Sequence, residues 1–187
     1  MRVIGGRCKG RRLAPVKGAS VRPTSDKVRE AVFDILSRPF SYPRALDLFA
    51  GTGAMGIEAL SRGAQTATFV DVDNTSVLVI KKNLSTCGLL EQASVYRKDV
   101  RSAVRSLARK GERFDVIFID PPYNSALVED TLKAIDSQGI LAPGGVIVAE
   151  ASKRVPVSPE FETIGLVDDR RYGDTLVYFF KEKDGSV

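Results

Sequence analysis

Ala45-Leu46-Asp47-Leu48-Phe49-Ala50-Gly51-Thr52-Gly53-Ala54-Met55-Gly56 joins an apolar strand to a glycine turn and the first residues of a helix. The same order recurs downstream. Apolar runs predict strands at 45–49, 67–72, 94–97, 115–120 and 146–150, with amphipathic helices between them near 55–62, 75–86, 102–110 and 127–137. Strands alternating with helices form a parallel sheet covered on both faces, so the chain reads as a doubly wound α/β domain over 44–187. Ligands of such a domain bind beyond the carboxyl ends of the strands. The segments 161–167 and 175–181, separated by Asp168-Asp169-Arg170-Arg171-Tyr172-Gly173-Asp174, predict a hairpin adding an antiparallel strand at the sheet edge.

Residues 1–43 form an extension of a different kind. Residues 1–29 hold nine basic side chains and one acid, +8 of a whole-chain charge of +5, which leaves −3 for the remainder. A basic arm before a slightly acidic body suits a polyanion, and Arg7, Lys9, Arg22 and Lys27 are its candidate substrate-binding cations. Val3, Ile4, Leu13 and Val21 among Gly5-Gly6, Gly10 and Gly18 predict short strands and turns there. A helix follows Pro23, with Thr24 or Ser25 as cap and Val28, Ala31, Val32, Ile35 and Leu36 as its buried face.

Composition removes whole classes of chemistry. The 187 residues include no histidine, so Ser-His-Asp catalysis, imidazole acid–base chemistry and His-based metal sites are excluded, and no metal is expected. Cys8 and Cys87 are too few and too far apart for a disulfide framework or a zinc ribbon. No apolar stretch reaches the roughly 18 residues that span a bilayer, and the first residues lack a signal-peptide core, so a cytoplasmic protein is expected.

Chemistry-bearing residues stand at the ends of the strands. Gly51, Gly53 and Gly56 satisfy G-x-G-x-x-G, which also fits a nicotinamide-dependent oxidoreductase. Asp47 argues against that alternative, because a carboxylate beside the turn repels a pyrophosphate and attracts a cationic ligand. S-adenosylmethionine has an amino group and a sulfonium and no phosphate, so Asp47, Gly51, Thr52 and Gly53 suit it. Asp71 ends the second strand, 24 residues after Asp47, where a ribose-binding acid is expected, whereas Asp73 reads as a helix cap. Asp99 closes the third strand, either as a cap or as acceptor for the adenine amine with the Val100 N–H on the ring edge. Asp120-Pro121-Pro122-Tyr123 ends the fourth. Its prolines stop the strand and present a carboxylate, carbonyl acceptors and a ring to a flat base with an exocyclic amine.

Asp-Leu-Phe-Ala-Gly-Thr-Gly-Ala-Met-Gly-Ile-Glu-Ala-Leu-Ser-Arg-Gly-Ala at 47–64, Asp-Pro-Pro-Tyr at 120–123, Arg-Val-Ile-Gly-Gly at 2–6, the segment 22–33 and the closing Tyr172-Gly173-Asp174-Thr175 together resemble the RsmD family. These are bacterial methyltransferases acting on the N2 amine of a guanine in small-subunit (16S) ribosomal RNA. The resemblance implies a Rossmann-like class I methyltransferase sheet, S-adenosylmethionine as cofactor, and a monomer acting on ribosomal RNA within an assembling small subunit. It assigns the acceptor site to Asp120, Pro121, Pro122 and Tyr123. The chain departs from the family pattern at Asp71, where Glu is frequent, and at Asp34, where Asn is usual. An adenine-N6 DNA methyltransferase would share the Asp-Pro-Pro-Tyr chemistry and is the nearest alternative.

Overall fold

The computed structural model describes residues 1–16, 26–36, 40–122, 125–152 and 161–183. Its sheet has seven strands in the order β3-β2-β1-β4-β5-β7-β6. The strands are β1 (Arg44–Leu48), β2 (Thr66–Asp71), β3 (Ala93–Arg97), β4 (Phe114–Ile119), β5 (Leu141–Ser152), β6 (Ile164–Tyr172) and β7 (Thr175–Glu182). The helices are α1 (Asp26–Ile35), α2 (Ala54–Arg62), α3 (Asn74–Cys87), α4 (Val100–Arg109) and α5 (Ser125–Gln138). β1 to β5 run parallel, β7 pairs antiparallel with β5, and β6 pairs antiparallel with β7. The strand order reverses between β1 and β4, which places a crevice between their carboxyl ends.

Two apolar layers sandwich the sheet. Val116, Phe118, Val148 and Phe179 face a layer that includes Val32, Phe33, Ile57, Leu60, Ile80 and Leu84. Ile117, Ile119, Ile147 and Phe180 face the other, with Val104, Leu107, Leu132 and Ile135. The successive apolar residues of β4 thus divide between the two faces, as the two-residue strand period requires.

The C-terminal hairpin is longer than its sequence suggests. Residues 168–174, expected to connect two short strands, instead carry β6 on to Tyr172, leaving Gly173-Asp174 as the turn. Charged side chains concealed the strand, but β6 lies at the sheet edge, where charge is tolerated and discourages pairing with other chains. Because Ser152 pairs with Thr175, this turn lies at the same edge as the carboxyl ends of the parallel strands.

Asp136 of α5 anchors the start of β6. Its carboxylate accepts from the N–H groups of Glu162 (2.7 Å), Thr163 (2.8 Å) and Ile164 (3.1 Å) and from the Thr163 hydroxyl (2.6 Å). Burial pushes its carboxyl up, but these four donors outweigh burial and hold it below the usual carboxylate range. A depressed folded-state value contributes stability above the unfolded value, near about 3.9, and loses it as pH falls through the folded one. Asp136→Ala is expected to cost about 2 kcal/mol in urea unfolding at neutral pH, with the difference from wild type shrinking below about pH 4.

α1 buries a different stripe from the expected one. Val28, Val32 and Leu36 are buried as predicted, but Phe33 and Arg29 join them and Ile35 is 40% exposed. Phe33 rotates the helix inward by packing on Phe118 and on Phe40, each with ring centroids 5.6 Å apart. The expected cap at Thr24 or Ser25 lies outside the described residues.

Residues 1–16 fold as a hairpin against α2 and α3. An antiparallel bridge joins Arg2 to Arg12, the Val3 N–H donates to the Arg11 carbonyl (2.9 Å), and a 3-10 turn at Gly6–Cys8 forms the tip. Val3, Cys8 and Leu13 enter the core, while Arg2, Arg7, Lys9, Arg11 and Arg12 stay exposed. Glu58 fastens one strand of the hairpin, accepting from the Ile4 N–H (2.8 Å) and the Gly5 N–H (2.7 Å). Ser61 fastens the tip, accepting from the Cys8 N–H (2.9 Å) and donating to the Gly5 carbonyl (2.6 Å). Among the described residues no helix is long and apolar enough to cross a membrane.

Candidate active site

Acids from three neighbouring strands come together beside β1. Asp47 lies within β1, Asp71 ends β2 and Asp120 follows β4. Asp47 is 3% exposed, and its Oδ2 accepts from the Gly56 N–H in the first turn of α2 (2.8 Å). Burial holds its carboxyl well above the usual range, the Gly56 N–H opposes this, and the charges of Asp120 and Asp71 push it further up. Such a carboxyl meets a cation favourably and a pyrophosphate unfavourably. That is the electrostatic case against a nicotinamide cofactor here.

Backbone conformation shapes the turn between β1 and α2. Phe49 has φ 59°, which a side chain rarely adopts, and Gly51 has φ 54°. The Gly51 N–H donates to Asp71 Oδ2 (2.8 Å), so the acid at the end of β2 braces the turn that follows β1. Gly56 is required for another reason, since a Cβ there would lie 2.3 Å from Cε1 of Phe69. The glycine pattern therefore serves a tight turn and close approach of helix to sheet.

Asp71 also accepts from the Asp73 N–H through Oδ1 (2.8 Å). With one N–H on each oxygen, lone-pair capacity remains for two ribose hydroxyls. Asp73 itself caps α3, accepting from Ser76 N–H (2.8 Å), and that hydrogen bond lowers its carboxyl from the usual value. Asp99 caps α4 through Oδ1, which accepts from Ser102 N–H (3.0 Å). Val100 begins α4 and so carries one of the N–H groups that a helix leaves unpaired within itself. Val72 is 67% exposed directly after Asp71, an apolar side chain left open beside the acid that ends β2.

Asp120 follows β4 with Pro121 buried and Pro122 exposed. Tyr123 lies outside the described residues, as does Arg22. Lys27 is exposed on α1, Lys9 is exposed at the hairpin tip, and Arg7 donates to Gln92 Oε1. The tip packs beside Ser61 and Cys87, near the last turns of α2 and α3, so Arg7 and Lys9 stand away from the crevice. Among the described residues no group of three His, Cys, Asp or Glu side chains is arranged to hold a metal ion.

A family described as "Conserved hypothetical protein 95" matches residues 1–181. Ribosomal RNA small subunit methyltransferase D of Escherichia coli K12 is 37% identical over 151 residues, 81% of this chain and 74% of that protein. The chain belongs to this family, the RsmD family. A Bacillus subtilis member named "Putative rRNA methyltransferase YlbH" is 44% identical over 98% of this chain and 100% of its own length. The solved structure of "Putative methyltransferase yhhF from Escherichia coli" superposes with a TM-score of 0.82 at 33% identity, covering 98% of each chain. The fold is thus the Rossmann-like sheet of RsmD methyltransferases, with the antiparallel β6–β7 hairpin in place.

The acids of the crevice make one prediction about the protein without ligand. A carboxyl whose folded value is raised takes up its proton more readily in the folded state, so stability falls as pH rises from the unfolded value to the folded one. Asp47→Asn removes that penalty and keeps an acceptor for the Gly56 N–H. Its melting temperature without ligand is expected to exceed wild type at pH 8, to converge with it near about pH 4, and to lose the rise caused by S-adenosylmethionine.

Proposed function

We propose that this chain transfers a methyl group from S-adenosylmethionine to the exocyclic N2 amine of a guanine in 16S ribosomal RNA. The observation that carries the reading is the convergence of Asp47, Asp71 and the Asp120-Pro121 turn at the point where the strand order reverses. The RsmD relatives, whose names specify small-subunit ribosomal RNA, support the substrate class. Bound S-adenosylmethionine supplies an electrophilic methyl group on a sulfonium.

The remaining chemistry belongs to the chain. Asp71 holds the ribose hydroxyls, Asp99 and Val100 take the adenine edge, and Asp47 with the Gly51-Thr52-Gly53 turn lies toward the cationic end. A guanine amine is a weak nucleophile because its lone pair is delocalised into the ring. The Asp120 carboxylate and the Pro121 carbonyl each accept one of its N–H groups, which localises the pair on nitrogen and aims it along the transfer axis. As the nitrogen–methyl bond forms and the sulfonium–methyl bond breaks, the proton the nitrogen must lose passes along the hydrogen bond to Asp120 and on to water. Tyr123 stacks on the base, as the resemblance implies. Holding both reactants in attack geometry contributes on the order of 7 kcal/mol to lowering the barrier. Extruding the base costs a few kcal/mol, offset by stacking and by phosphate contacts from the basic extension 1–43, with Arg7, Lys9, Arg22 and Lys27 as its contributors. The physical substrate is an assembling subunit, met by a monomer in the cytoplasm.

The test is transfer of labelled methyl groups to 16S ribosomal RNA, naked and in partly assembled subunits, followed by nucleoside analysis. N2-methylguanine is the expected product. N6-methyladenine in its place, or a melting temperature raised by NADH and not by S-adenosylmethionine, would overturn the reading.

A further inference from the structure

One buried side-chain amide joins the N-terminal hairpin to the glycine turn. Asn83 of α3 is 1% exposed. Its Oδ1 accepts from the Ala14 N–H (2.7 Å), and its Nδ2 donates to the Ala14 carbonyl (3.1 Å) and to the Thr52 carbonyl (2.9 Å). Ala14 belongs to the second strand of the hairpin, beside Leu13, whose N–H donates to the Met1 carbonyl (3.2 Å). Met1 in turn places its sulfur 3.5 Å from the Thr52 hydroxyl. Both ends of the hairpin therefore meet the turn that the site proposal assigns to the cofactor.

The bond to Thr52 matters because of the peptide it holds. The Thr52 carbonyl and the Gly53 N–H belong to one peptide unit, and that N–H donates to the Ala50 carbonyl (2.7 Å). The unit is thus fixed at both ends, by Ala50 on one side and Asn83 on the other. It leads into left-handed backbone at Gly53 (φ 76°), with Gly51 (φ 54°) one residue before it, and a glycine lets the adjoining peptide plane rotate at little steric cost. A turn held in a sparsely populated conformation persists only where its surroundings determine it. Asn83 supplies that constraint and shares it with the hairpin.

We infer that Asn83 is a positioning residue for the cofactor turn and that the N-terminal hairpin is thereby part of the cofactor site. The inference rests on reading the turn as an S-adenosylmethionine site. Asn83→Leu keeps the volume and removes all three hydrogen bonds. Ala14→Pro removes the N–H that Asn83 accepts and puts a proline ring where that hydrogen bond ran, which displaces the amide, at a residue that Pro15 already biases toward extended backbone. Calorimetric titration of the full chain with S-adenosylhomocysteine should show a dissociation constant raised about tenfold in Asn83→Leu and about threefold in Ala14→Pro. The double variant should bind no more weakly than Asn83→Leu, because both changes act on one link. Without ligand, hydrogen exchange at the Gly53 amide should quicken in both variants.

A merely structural Asn83 would lower melting temperatures and leave the affinity of the folded protein unchanged. Folded variants that bind S-adenosylhomocysteine like wild type would therefore overturn the inference. Should Asn83→Leu fail to fold, Ala14→Pro decides by the same readouts. Wild type that fails to bind S-adenosylhomocysteine would overturn the site reading, whereas an unchanged Gly53 exchange rate in Ala14→Pro would overturn the coupling itself.

Discussion

Replacing Asp120 by alanine is expected to lower methyl transfer to ribosomal RNA by about 10³-fold, the scale of removing one group that stabilises transition-state charge. The carboxylate follows β4, and in the proposed function it and the Pro121 carbonyl are the two acceptors for the amine. Without it one amine N–H has no acceptor at the moment the nitrogen gains positive charge. Cofactor binding should respond differently. Asp120 is one of the charges that push the Asp47 carboxyl up, so its removal eases ionisation of Asp47 and leaves the cation-facing group intact. S-adenosylhomocysteine affinity is accordingly expected within about twofold of wild type, a difference under about 0.5 kcal/mol. Asp120→Asn, which keeps an acceptor oxygen and loses the charge, should fall between. Initial rates with labelled S-adenosylmethionine and a calorimetric titration separate the two effects. Turnover within tenfold of wild type in Asp120→Ala would remove this residue from the acceptor site.

Glu58→Ala should cost about 3–5 kcal/mol of folding stability, the range for stripping one partner from a buried ion pair. Glu58 is 1% exposed and meets Arg62 at 2.7 Å, Arg29 at 3.8 Å and the Ile4 and Gly5 N–H groups. Arg29 is fully buried, and its Nε and Nη1 have no hydrogen-bond partner among the described residues. Its charge is balanced by Glu58, and by Asp26 at 3.1 Å. Alanine at 58 would leave a buried guanidinium short of charge and two backbone N–H groups without acceptors. Glu58→Gln keeps one acceptor oxygen and loses the charge, so it should cost less than alanine. Urea unfolding of the three proteins measures the order. Equal stability of Glu58→Ala and wild type would show that the hairpin is held by its apolar residues alone.

Much of the fold was legible because its signals are local. Four of the five strands of the parallel sheet contain an apolar run, an acid or a glycine stands at or soon after the ends of the strands, and the helices between them have a periodic apolar face. β6 was read short because Asp168-Asp169-Arg170-Arg171 looks like a loop, and only pairing with β7 makes those residues a strand. The buried face of α1 is not legible in the same way, because periodicity cannot tell which of two adjacent stripes meets an aromatic neighbour. Phe118, 85 residues away, settles that in favour of Phe33.

The site divides along the same line. Asp47, Gly51, Asp71 and Asp120 could be named from sequence, since each stands where a strand ends and a doubly wound sheet brings such ends together. Glu58, Ser61 and Asn83 could not. All three are polar residues inside helices, where the bland expectation is solvent, and their backbone partners lie 31 to 69 positions away. Sequence alone determined the sheet, the acids at its edge and the exclusion of histidine chemistry, because strand period, turn residues and composition are properties of neighbours along the chain. Tertiary structure decided that residues 1–16 dock as a hairpin on α2 and α3, that Asp47 is buried among like charges, and that Asn83 ties hairpin to turn. Those outcomes depend on which distant backbone groups lose water together, and each buried donor or acceptor then requires a partner that only the folded chain supplies.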